Sequence, residues 1–349
     1  MNNMIKHPYL SLDKQIEHLE KDKGLIFQDK QFAKKALQTF SYYSVINGYK
    51  DLFLSEDSNF DKEIFIPGTT FEMLYQIHWM DLTLNNIIFK YSLIVEKKLK
   101  SILSNRIAQS FSIYEERYLD SKCYSKNKNF RWIYNRLIKE IDDISEDDIS
   151  VQHYKKNEGN VPPWIYAKAL TFGSIIDWYT ILQPEHKDFV ITDFLGTIFL
   201  TDNEKRDFFK RSLKQIHQFR NSSAHGNRLF MFKLKPKHKH IIRHLEKLKF
   251  KEYFLDENSL VVGNDNLFSV LFSILLLIND SYVLSNFLTE LYRYLLEYSQ
   301  IEYNFVGKNV YDLLGLDENF FFKLARFYDE KFNVDLSKNF NTEAIKISY

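Results

Sequence analysis

Arg220, Asn221 and His225 lie in the stretch FRNSSAHGNRLF, residues 219–230, and are the side chains of this sequence best suited to chemistry on a phosphodiester. Cleaving an RNA strand needs a base for the 2'-hydroxyl proton, an acid for the departing 5'-oxygen and positive charge beside the crowded phosphate. Histidine titrates nearest neutrality, so His225 suits either proton role. The guanidinium of Arg220 is a planar fork of donors that stays charged and fits phosphate oxygens. Asn221 has an amide that can hold substrate or orient the histidine. RNA carries its own nucleophile, so this chemistry requires neither a metal nor a serine. The spacing alone is weak evidence, because residues five apart on a regular helix lie about 140° apart around its axis. Arg220 and His225 converge only where the helix breaks, and the serines and glycine of SSAHGN permit a break. The residues by themselves leave two readings open: a catalytic pair, or the polar end of one helix running into the next.

Directly downstream, KLKPKHKHIIRHLEKLKFK (residues 233–251) gathers lysines, an arginine and three histidines. Such a cluster neutralises phosphates and gives salt-sensitive, sequence-independent affinity for nucleic acid. Lys233, Lys235, Lys237, Lys239, Arg243 and Lys247 are the candidate RNA contacts, against the alternative of a solvated helix face. His238 and His240 alternate, but no acid or cysteine stands at ligand spacing beside them, so no metal and no cofactor is expected. The acidic run EIDDISEDD (residues 140–148) reads as a solvated face.

The elements that must position these residues read as helices. Ten glycines and six prolines in 349 residues are about 5% of the chain against an average near 12%, too few to punctuate many short strands. Leu84, Ile87, Ile88, Tyr91, Ile94, Val95, Leu99 and Ile102 recur at the helical period, and the same rhythm runs through Phe32–Phe53, Trp164–Leu182 and Leu267–Leu296. Thr70 and the second proline of NVPPW, Pro163, are expected helix starts. The fold expected is all-α, in three segments: 1–68, a helical core over 69–255 and a C-terminal helical segment over 256–349. The apolar run LFSVLFSILLLI is too short to span a bilayer and reads as a buried helix. The 47 Lys+Arg against 46 Asp+Glu leave no global field for a membrane or nucleic acid, so any basic site must be local. Cys123 has no disulfide partner, and the amino end lacks a signal-peptide core, which together point to the cytoplasm.

The motif RN..AH..R, carried here by Arg220, Asn221, Ala224, His225 and Arg228, resembles that of the Abi-like abortive-infection family (AbiD and AbiF type) within the HEPN superfamily of helical ribonucleases. The resemblance extends to Gln15, Leu19, Gly24, Leu25, Tyr42, Tyr43, Gly48 and Tyr49 near the amino end. It continues through His153, Tyr154, Pro163, Trp164, Phe172, Gly173 and Tyr179, and through Asn264 to Leu267. In all, the matching segments span residues 8 to 315 in order. The resemblance implies a HEPN-type helical bundle and a metal-independent endoribonuclease toxin of phage defence. It further implies restraint by a small non-coding RNA and a homodimer in which two copies of the motif share one cleft. It adds Glu96 and Lys100 as supporting residues, with lysine where the family often shows arginine; the alternative for this pair is an intrahelical ion pair. The aromatics Tyr42, Tyr43 and Tyr49 are expected in core packing, and His78, His153 and His186 as structural or surface histidines. A rival to the enzyme is a non-catalytic RNA-binding scaffold that uses the same motif as a phosphate clamp.

Overall fold

The computed structural model describes residues 9–58, 62–224, 228–341 and 343–346. Among these residues the chain forms fifteen α-helices and no strand, so the protein is all-α. The first pair is α1 (Leu12–Lys21) and α2 (Lys30–Tyr42), followed by the forty-residue α3 (Phe71–Ser110). After the short α4 (Glu115–Tyr118) come α5 (Arg131–Asp147), α6 (Ile149–Glu158), α7 (Pro163–Ala169), α8 (Phe172–Ile181) and α9 (Pro184–Leu195). The motif helix α10 (Asp202–Ala224) leads through α11 (Ile242–Lys247) to α12 (Leu267–Leu277) and α13 (Ser281–Tyr298). The chain closes with α14 (Val310–Leu314) and α15 (Phe320–Phe332). No helix among the described residues is long and apolar enough to cross a membrane.

α3 is the axis of the molecule. Thr70 starts it by accepting a hydrogen bond from the Met73 amide, one of the orphan donors of the first turn. Leu74, Ile77, Leu84, Ile88, Val95, Leu99 and Leu103 line its buried side, and α7, α9, α10, α12 and α13 pack against it. α12 is buried on every face, as expected of a helix apolar all round. One apolar cluster joins these helices from Ile16 to Ile345.

The expected helical stretches are interrupted where polar caps outweigh continuous periodicity. Thr171 accepts from the Ser174 amide and divides α7 from α8, and Asp280 accepts from the Val283 amide and divides α12 from α13. Within Phe32–Phe53, Ser41 takes φ 66° and ψ 155°, a conformation costly for any residue but glycine. A π-helical turn follows at Tyr43–Asn47. The register shift corrects one expectation: Tyr49 is buried as expected, but Tyr43 is turned out and 77% exposed. His153 lies exposed beside Asn157, whereas His78 and His186 pack against Tyr49 and Phe111.

α10 and α12 are joined by a polar tie inside the core. Gln215, fully buried, accepts hydrogen bonds from the hydroxyls of Ser269 and Ser273 at 3.0 and 2.8 Å and donates to the His238 carbonyl at 3.0 Å. Ser273 also meets His240 Nε2 at 3.2 Å. The tie locks the basic segment to the motif helix. Gln215→Ala should lower the unfolding free energy by roughly 2–4 kcal/mol, because it leaves a cavity and buried polar groups without partners. Urea denaturation followed by circular dichroism measures the loss.

Candidate active site

α10 presents three stripes to its surroundings. Phe208, Phe209, Leu213, Ile216 and Phe219 are buried and fix the helix's rotation. Arg211, Gln215 and Gln218 form a second stripe that holds the chain after the motif: Arg211 donates to the carbonyls of Lys237 and Lys239, and Gln218 bonds the Lys233 carbonyl and the Lys235 amide. The third stripe, Lys210, Lys214, His217 and Asn221, runs one turn at a time toward the motif. α10 continues through Arg220, Asn221 and both serines to Ala224, the last described residue before His225. The serines expected to permit a break, Ser222 and Ser223, are themselves helical. His225, with Gly226 and Asn227, lies outside the described residues.

Arg220 faces α3. Its Nε stands 3.6 Å from Oε2 of Glu96, whose other oxygen is 3.0 Å from Lys100 Nζ. Lys100 also donates to the Lys168 carbonyl at 3.3 Å. The intrahelical Glu96–Lys100 pair is thus present, and the same buried carboxylate, 6% exposed, reaches across to α10. At 3.6 Å the Arg220 contact is an ion pair without a hydrogen bond. Neither Arg220 Nε nor Glu96 Oε2 has a hydrogen-bond partner. Among the described residues the guanidinium makes one long hydrogen bond, 3.4 Å to Asn221 Oδ1. Held by charge and nearly free of hydrogen-bond partners, its donors remain available to an anion.

Asn221 is oriented by a residue that sequence reasoning missed. Its amide donates to His217 Nε2 at 3.0 Å. This requires a neutral ring, and burial together with Lys214 and Arg220 lowers His217 to about 4. His217 packs edge-on against Phe172, with ring centroids 5.6 Å apart. A Cβ on Gly173 would stand 3.0 Å from His217 Nε2, so the missing side chain makes room for the imidazole. One helical turn back from Asn221 is the spacing that would have pointed to His217.

The chain on either side of the motif is fastened to α3. Ser223 donates to Asn85 Oδ1, and one turn earlier on α3 Asp81 accepts the Leu229 amide on both oxygens, at 2.9 and 3.0 Å. The Tyr49 hydroxyl donates to Asp81 at 2.9 Å. Burial pushes the Asp81 carboxyl up to about 7 despite these donors. Arg228 donates to the Gly48 carbonyl and stands 3.4 Å from Asp51. Gly48, Tyr49 and Arg228, from distant parts of the sequence motifs, therefore meet at one place.

The basic segment divides. Lys235, Lys237 and Arg243 are exposed and have no ion pair among the described residues. Lys233 and Lys239 share Asp265 at 3.5 and 2.8 Å, and Lys247 pairs with Glu204. Two of its three histidines are not on the surface at all: His240 and His244 are buried, and burial holds His240 neutral at about 3. The segment's exposed charge is carried by lysines and an arginine.

A family model described as Abi-like protein matches residues 35–231, from the second helix through the end of the motif. No curated protein and no solved structure matches the chain.

Asp81 gives the site a pH signature. A carboxyl with a raised folded-state pKa contributes stability that is complete below its ordinary value, 3.8, and is lost as pH rises to about 7. The difference in melting temperature between the parent and Asp81→Asn should therefore be largest near the acid end of that window and shrink toward its upper limit. Thermal melts across the window read it directly.

Proposed function

The chain belongs to the Abi-like protein family, and from that premise we propose that it is a metal-independent endoribonuclease of abortive infection, a defence against phage. The observation that carries this reading is Arg220. A guanidinium anchored by a buried carboxylate, with its donors nearly uncommitted, stands at the end of α10 just ahead of His225. In this reading Arg220 receives the scissile phosphate, and Asn221, fixed by His217, holds a second oxygen or the histidine ring. His225 moves the proton: the substrate 2'-hydroxyl loses it, the 2'-oxygen bonds to phosphorus, and the 5'-oxygen leaves protonated. The products are a 2',3'-cyclic phosphate and a free 5'-hydroxyl. Glu96 sets the position of Arg220, with Lys100 balancing its charge.

One copy of the motif is present per chain, so in this reading two protomers each bring one histidine and divide the two proton roles. The active species is a homodimer with Arg220 and His225 of both protomers on one cleft. In the resting cell a small structured RNA holds the protein inactive, with Lys235, Lys237 and Arg243 among its contacts. The exposed lysines also favour a second reading, a scaffold that binds RNA without cutting it.

Cleavage in the presence of a chelator separates the two. The parent should yield 2',3'-cyclic ends, and His225→Ala should lower the rate by about 10²–10⁴-fold while still binding RNA. Arg220→Ala should also lose cleavage. A His225→Ala protein that cuts at the parental rate removes the catalytic assignment, and a monomer by sedimentation that cuts RNA removes the shared cleft.

A further inference from the structure

A surface outside the motif and outside the basic segment carries a second arrangement of cations. Lys210 and Lys214, the first two members of the third stripe of α10, are half-buried, and Lys210 has no ion pair or hydrogen bond among the described residues. Lys187 of α9 is close by, likewise without an ion pair among the described residues, its ammonium 5.0 Å from the centre of the Phe130 ring. Across the face, Asp177 of α8 is shared by Arg136 of α5 and Lys214, the latter at 3.9 Å. Two cations thus meet one carboxylate there. Of the nearby carboxylates, Asp188 pairs with Arg206 and Asp207 with Arg211, whereas Glu140 accepts from the uncharged Ser174 hydroxyl. One turn before Arg136 on α5, Trp132 is 58% exposed, with the Arg136 guanidinium 4.8 Å from its ring.

From this geometry we infer that the face formed by α5, α8, α9 and α10 is a track for single-stranded nucleic acid, leading from Lys187 along Lys210 and Lys214 to the motif, with Trp132 as a stacking shelf for a base. From Lys210 to Asn221 the helix rises about 17 Å, long enough for a few nucleotides. The stripe advances three or four residues at a time, and each step offers a positive or donor group to a repeating anion. An exposed indole beside a guanidinium is a poor core residue and a good stacking surface. The electrostatics agree: burial lowers Lys210 and Lys214, and burial with Lys210 and Arg206 as neighbours lowers Lys187 to about 8. Burial takes these ammonium groups out of water, outweighing Asp177 and Asp207 at Lys210, and an incoming phosphate offsets that cost. The track rests on the ribonuclease reading for RNA as its strand, and it extends that reading from the reacting phosphate to the substrate on one side of it.

The test uses the full chain carrying His225→Ala, with chelator, and a fluorescein-labelled oligouridylate of about 20 nucleotides, followed by polarisation between about 50 and 200 mM salt. Adding K210Q/K214Q should weaken binding and flatten the plot of log affinity against log salt by up to about 1.4, two phosphate contacts' worth. Adding Trp132→Ala instead should weaken binding about 5- to 100-fold with the slope unchanged. Parental affinity and slope in K210Q/K214Q, with the helical circular dichroism retained, overturn the track. So does a duplex bound as tightly as the single strand and indifferent to Trp132→Ala. If K210Q/K214Q does not fold, K187Q decides in its place by the same salt slope. Cleavage is scored separately in the parent: if His225→Ala cuts RNA at the parental rate while K210Q/K214Q has lost slope, the catalytic assignment fails and the track stands.

Discussion

A carboxylate taken out of water must be met by donors or cations, and α3 buries two of them, Asp81 and Glu96. Their demands organise the surrounding chain. Glu96 collects Lys100 from its own helix and Arg220 from α10. Asp81 collects the Tyr49 hydroxyl from the amino-terminal region and the Leu229 amide from beyond the motif. The fifteen residue steps from one to the other are about 22 Å of helix rise, and the end of α10 and the chain that follows are attached along that length. Without these partners each carboxylate would be an uncompensated buried charge, so site geometry and fold stability rest on the same contacts.

This explains why residues of the family motifs lie so far apart in sequence. Gly48 gives a carbonyl to Arg228, Tyr49 gives a hydroxyl to Asp81, and Phe172 and Gly173 shape the space for His217, which in turn holds Asn221. Gly48, Phe172 and Gly173 carry no reacting group. Each fixes the position of something adjacent to Arg220 or to the stretch around His225. The family match over residues 35–231 takes in all of them.

The charge distribution follows from the same packing. With nearly equal numbers of acids and bases overall, positive potential arises only where the fold separates a cation from its counter-ion. It does so twice around α10. On one side Lys235 and Lys237 project while Gln218 and Arg211 bind their backbone. On the other, Lys214 shares Asp177 with Arg136, and Lys210 beside it has no ion pair among the described residues. The histidines between these groups, His217 and His238, are lowered to about 4 by burial and the surrounding cations. They act as neutral hydrogen-bonding groups rather than as added charge.

The sequence alone determined the helical class, because scarce glycine and proline and the three-to-four periodicity are properties of the chain before it folds. It also determined the starts at Thr70 and Pro163 and the burial of Leu267–Ile278, since capping and apolar content are local. Arg220, Asn221 and His225 were legible through the family resemblance of their motif, since their spacing alone left two readings open. Sequence could not show where periodic stretches break: Ser41 departs from the helix through a backbone conformation its residue type does not announce, and Tyr43 turns outward in consequence. Nor could it show that Glu96 serves two helices or that His217 underlies Asn221. A spacing of four along one helix is visible in a line of letters, whereas a contact between helices more than a hundred residues apart depends on how each is rotated. Tertiary packing alone sets that rotation, through the buried stripe of α10 and the paired carboxylates of α3.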